Sequence, residues 1–113
     1  MIAAANLTAF QQSFPGATVM TEGGVDFIYI PALTVATNKQ ATPTVVEALL
    51  CPREHSGYMT RLFLSQAFPG AGRSNNWTQH RILEKQWNTW SWQNVPPTDT
   101  PLQILAAHLR ALQ

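Results

Sequence analysis

The amino-acid sequence predicts an α+β fold: an N-terminal helix, a four-stranded antiparallel meander and a C-terminal helix, with the helices against one face of the sheet. Three observations predict it. Apolar residues recur at helical spacing near each end of the chain, the period between them falls to the two of a strand, and Pro, Gly and Asn cut the chain into strands of ordinary length. With 113 residues the chain supplies one modest core, so 1–113 reads as a single domain.

Asn6 is placed to cap a short first helix in which Leu7, Phe10 and Phe14 share a face and which Pro15-Gly16 ends. Ala17 to Thr21 and Val25 to Ile30 form a hairpin about Gly23-Gly24, because glycines accept the positive φ angles of a two-residue turn. The second strand can continue past Pro31 through Leu33 and Val35, since proline is tolerated at an edge or a bulge. After the polar loop Thr37 to Thr42, the β-branched and apolar run Thr44 to Leu50 makes a third strand, stopped by Cys51-Pro52, and Tyr58 to Ser65 makes a fourth. Pro69 to Asn76 reads as a loop. Its Gly70-Ala71-Gly72 is not a phosphate loop, because no Gly-Lys-Ser/Thr follows. Trp87 cannot share a strand face with Trp90 and Trp92, so Ile82 to Val95 is expected to be a helical turn passing into an extended segment. Thr100 caps the closing helix, Pro101 suits its first position, and Leu102, Leu105, Leu109 and Leu112, supported by Ile104, form its apolar stripe.

Composition narrows the function classes. Hydrophobic residues are 45% of the chain, but charged ones are only 12%, about half the roughly 25% usual in soluble domains. A net charge of +1 supplies no electrostatic footprint for nucleic acid or for an anionic membrane surface. The first Lys or Arg is Lys39, so the start of the chain lacks the basic region of a secretory signal. The apolar stretch Phe27 to Ala36 is too short for a membrane helix, and a cytoplasmic location is expected. A charge-poor surface repels other molecules weakly, which favours docking on a partner or a homo-oligomer. One cysteine, Cys51, allows neither an internal disulfide nor a zinc ribbon of several thiolates.

Ionisable residues concentrate in Cys51-Pro52-Arg53-Glu54-His55-Ser56-Gly57, between two strands. If Pro52 begins one helical turn, the offsets of three and four bring Cys51, Glu54 and His55 to one side. Cys51 would then sit at the amino end of that turn, where backbone N–H groups favour thiolate and His55 takes the proton. The alternatives are a Zn²⁺ site on Cys51, His55 and His80, since thiolate and imidazole are accepted ligands, or a buried structural cysteine beside a tight turn. His80, just after the Pro69 to Asn76 loop, is the best remote member, while His108 has the spacing of a core-edge histidine on the closing helix. Arg61 can pair with Glu54 or Glu47 or face solvent, and the four tryptophans read as core.

The order helix, meander, Pro- and Tyr-bearing turn, late Trp, Pro-rich turn and Ile-Leu-x-x-His-Leu helix resembles the RWD and ubiquitin-conjugating-enzyme fold. More narrowly, Cys51-Pro52-x-Glu54-His55-x-Gly57-Tyr58-x-Thr60-Arg61-Leu62-Phe63-Leu64 with a later His resembles the bacterial RWD-like group called CEHH after its Cys, Glu, His and His. That resemblance covers about fourteen residues and implies a role beside ubiquitin-like modifiers and their activating and conjugating enzymes in bacterial conflict systems, including antiphage defence. It implies Cys51, Glu54, His55 and His80 as the site, with His108 as the other choice for the fourth letter. The thioester cysteine of conjugating enzymes follows the fourth strand, in the region matching Pro69 to Leu83. This sequence has no cysteine there. Three expectations result: Cys-dependent transfer with Glu54, His55 and His80 assisting; a non-catalytic adaptor whose cluster holds structural zinc; and a plain adaptor docking through its surface.

Overall fold

The computed structural model describes residues 2–113 and orders them as α1 (Ala4–Ser13), β1 (Thr18–Glu22), β2 (Val25–Val35), β3 (Thr44–Cys51), β4 (Arg61–Leu64), β5 (Asn75–Ile82), β6 (Lys85–Ser91) and α2 (Pro101–Arg110). The strands form one antiparallel sheet in the order β1-β2-β3-β4-β6-β5. The expectation of a four-stranded meander between two helices is therefore corrected: the sheet has six strands, and the RWD-type architecture inferred from the element order does not describe it. The difference lies in residues 75–91: 75–76 were expected as the end of a loop and 82–91 as part of a helical turn passing into an extended segment, and the whole stretch is the hairpin β5–β6.

Alternation along the strands builds two cores. Ile28, Ile30, Ala48, Leu50, Leu62, Leu64 and Trp90 face α1 and α2, where Phe10, Ile104, Leu105 and Leu112 meet them. Phe27, Leu49, Cys51, Phe63, Ile82 and Trp87 face the other way and form a smaller cluster. Trp87 and Trp90 are thus buried on opposite faces of one strand, which removes the reason for expecting a helical turn there. A bulge between Ile30 and Leu33, at Pro31, shifts the parity of β2 so that Leu33 and Val35 rejoin the helix-side core.

The sheet twists hard enough to bring two diagonal corners together over the smaller cluster. Glu22, at the end of β1, accepts a hydrogen bond from the Leu83 backbone N–H in the β5–β6 turn at 2.6 Å. Four strand spacings separate β1 from β6, about 19 Å in a flat sheet, and a glutamate side chain cannot span that distance. The right-handed twist of each strand pair accumulates until these corners fold toward one face. Leu83 packs into the cluster it covers.

The helices are held by different means. α1 begins at Ala3 with no side-chain cap, so Asn6 lies inside the helix and is not its cap. α2 has Thr100 as N-cap in a reciprocal capping box with Gln103 and Pro101 in its first turn. Its buried face centres on Pro101, Ile104, Leu105 and His108, with Leu102 and Leu109 only partly covered.

Candidate functional site

The chain between β3 and β4 is no helical turn. His55 and Tyr58 exchange backbone hydrogen bonds at 2.8 and 3.0 Å across Ser56 and Gly57, whose φ angles are 53° and 86°. Two consecutive positive φ values make a tight hairpin-type turn, which Gly57 accepts freely and Ser56 at some cost. The Tyr58 hydroxyl donates to Ser91 Oγ at 2.8 Å and ties this turn to the end of β6.

That turn sets His55 over the smaller cluster. Its ring meets Phe63 edge-on at 5.2 Å between centroids, Phe27 at 6.1 Å and His80 at 6.0 Å, and His80 meets Phe63 at 5.6 Å. His80 arrives from β5, directly opposite Trp87 in the register. The two histidines are 25 positions apart in the chain and converge on one phenylalanine. Partial burial holds both below the ordinary imidazole value, His80 further lowering His55 and the Arg61 charge lowering both, so each is neutral at pH 7. Ser56 Oγ lies 2.9 Å from His55 Nδ1 and Thr78 Oγ1 lies 3.3 Å from His80 Nε2.

Cys51 shares the face but not the chemistry expected of it. The residue is 0% exposed, its thiol donates to the Arg53 carbonyl at 3.5 Å, and no hydrogen bond joins it to either histidine. Burial pushes the thiol up to about 11, and the nearby Glu54 charge pushes the same way, so the group is a neutral thiol at pH 7. The expected thiolate at a helix N-terminus is corrected on both counts, since the helix is absent and the thiol is desolvated. Glu54 is exposed, and its charge acts on His55 in the direction of protonation. Among the described residues no three His, Cys, Asp or Glu side chains are grouped to hold a metal ion, so Cys51, His55 and His80 do not form the ligand set considered above.

Arg61 is the group that sequence reasoning placed least well. It is 4% exposed and opens β4 opposite Cys51, with its guanidinium carbon 4.1 Å from the Tyr58 ring centroid and 6.0 Å from that of Phe63. Its Nε is buried without a partner, and among the described residues the one ion pair is Lys85–Glu47. Glu47, weighed as a partner for Arg61, instead accepts from Tyr29 at 2.8 Å and pairs with Lys85 at 2.5 Å. Burying an ion costs several kcal/mol after relaxation, whereas a desolvated cation–π stack returns about 2 kcal/mol. The buried Nε–H of Arg61 lacks a partner, at a cost of about 1–3 kcal/mol. The parity of Arg61 with Phe63 on a short, wholly buried strand was the available signal.

His108 belongs to the other core. It is 1% exposed, and Thr60 Oγ1 lies 2.9 Å from its Nε2 and 2.9 Å from the Val95 carbonyl. The threonine spends its only proton on Val95, so it accepts from His108 Nε2–H. Burial first, and the Arg61 charge second, bring His108 down to about 4. The remote histidine that meets His55 is His80. Comparison with protein-family models, with curated proteins and with solved structures finds no match for this chain.

Proposed function

We propose that the chain is a component of a bacterial ubiquitin-like protein modification pathway, of the kind used in antiphage defence, and that it works through His55 and His80 rather than through a thioester on Cys51. The observation that carries this reading is the convergence of those two histidines, at 6.0 Å between ring centroids, beside a thiol that is fully buried. Both come from the Cys-Glu-His-His pattern, and both are neutral at pH 7, the state in which an imidazole can accept a proton. The partners are a ubiquitin-like modifier and an activating or conjugating enzyme, docking on a chain with only 12% charged residues. Among the described residues no helix is long and apolar enough to cross a membrane.

The test is a reconstituted modification reaction with the gene products encoded beside this chain. Cys51→Ala is expected to keep modification within about twofold, while His80→Ala lowers it at least tenfold with the melting temperature retained. A Cys51→Ala variant that folds and abolishes modification, or a silent His55→Ala, His80→Ala pair, overturns the reading.

A further inference from the structure

We propose that Arg61 is the receptor for a carboxylate that a partner protein presents at the end of its chain, with Tyr58 as its movable cover and His55 and His80 as flanking N–H donors. Only the membership of that partner in the pathway rests on the function proposed above.

Arg61 has no internal counterion among the described residues. The chain has six Asp and Glu residues. Glu22 is engaged with the Leu83 N–H, Asp26 with Thr21, and Glu47 with Tyr29 and Lys85. Glu54, Glu84 and Asp99 are exposed, and none of the six lies within ion-pair distance of Arg61. Arg61 is 4% exposed as a residue, its Nε–H is buried without a partner, and no carboxylate of this chain stands beside it as a counterion.

The charge of the surroundings selects the anion. With His55 and His80 neutral, the site holds one permanent cation. A carboxylate neutralises it, whereas a phosphate dianion would leave buried negative charge. With Ser56 donating to His55 Nδ1, the remaining ring N–H of His55 at Nε2 is free to donate to such an anion.

Tyr58 lies across the guanidinium, fixed by one side-chain hydrogen bond to Ser91 at 2.8 Å and by the two backbone bonds of its turn. Displacing the ring uncovers Arg61 without disturbing the sheet. Because the cover is a single aromatic ring, a flexible chain end can take its place with less rearrangement than a side-chain carboxylate carried on folded backbone.

The experiment follows the Arg61 Nε–H and the His55 and His80 ring resonances by NMR during titration with N-acetylglycine, N-acetylglycinamide, the α-amide of N-acetylglutamate, and inorganic phosphate. The expected result is a saturable shift of all three residues with N-acetylglycine, at least tenfold weaker with the other three, and lost in Arg61→Gln. Tyr58→Phe keeps the aromatic stack but removes the bond to Ser91, and is expected to tighten binding about fivefold, the factor one ordinary hydrogen bond is worth. An equal response to the amide, or no response, overturns the carboxylate. Tighter binding of phosphate overturns the charge argument, and equal binding of the glutamate derivative overturns the chain end. The wild-type comparisons stand even if Arg61→Gln fails to fold. Because no pathway component is present, failure here is distinct from failure of the modification assay.

Discussion

At the scale of single residues, burial decides which groups are chemically available. Cys51 sits between the apolar residues of the smaller cluster with no exposed surface, and its thiol is held at about 11. At pH 7.4 it should alkylate with iodoacetamide roughly two orders of magnitude more slowly in the folded protein than in urea, because both thiolate fraction and access fall. Comparable rates in the two conditions would place the thiol in reach of substrate and revive the thioester. The same shift carries a sign for stability. A neutral thiol favoured by the fold stabilises it fully below the ordinary cysteine value, and that stabilisation is lost as pH rises toward 11. Gly72 is decided by sterics instead. Its φ is 50°, and a Cβ there would stand 2.3 Å from the Ala111 carbonyl oxygen, at the place where Arg73 N–H and Asn38 N–H hold the last residues of the chain. Gly72→Ala is expected to cost about 2–4 kcal/mol, the combined effect of a left-handed backbone and a backbone clash, read as a drop in the urea midpoint. A neutral substitution would show that the C-terminal segment yields easily.

Among the elements, the β5–β6 hairpin shows where reading a sequence succeeds and where it stops. The β1–β2 hairpin was legible because Gly23-Gly24 announces its turn, with φ angles of 58° and 78°. The turn joining β5 to β6 has the same two positive angles, 53° and 64°, on Leu83 and Glu84. Neither residue signals such a turn, and leucine in that conformation is rare. Tertiary contacts hold it there: Leu83 packs into the smaller cluster and donates its N–H to Glu22. The motif left His80 and His108 open as the remote histidine, and only the place of His80 just after a loop favoured it; the structure sets the His80 ring 6.0 Å from that of His55. The isolation of Arg61 was not legible, because a sequence gives parity but not the absence of a counterion. Glu84 is exposed and contributes only its strain. Glu84→Gly should therefore stabilise the protein by about 0.5 kcal/mol, the relief of a left-handed residue less the entropy of glycine. Leu83→Gly should destabilise it, since it removes an anchor along with the strain. If both variants gained stability, the corner contact over the small cluster would carry no weight in the fold.

For the molecule as a whole, acid is the revealing perturbation, because three histidines on both faces of the sheet are kept neutral by burial and by one arginine. Burial acts first on His55, His80 and His108, and the Arg61 charge lowers each of them as well. The direction of the effect on stability follows. Below the ordinary histidine value of 6.5 the unfolded chain takes up protons that the folded chain refuses. Stability is therefore complete above pH 6.5 and declines as pH falls toward the folded value, about 4 for His108. For a residue that is 1% exposed, a shift of that size corresponds to about 3 kcal/mol. His108→Leu isolates the contribution. Thr60 keeps its bond to Val95, so no buried donor is orphaned by the change. The wild-type urea midpoint should fall between pH 6.5 and 4 distinctly more steeply than that of the variant. The residual slope of the variant belongs to His55, His80 and the carboxylates, including Glu47, which Lys85 and Tyr29 hold below the usual range. Parallel slopes in the two proteins would mean that His108 takes up its proton in the fold as readily as in the unfolded chain. In that case the Nε2–H to Thr60 bond could be that of a charged ring, and the account of a neutral helix-side core around α2 would have to be withdrawn.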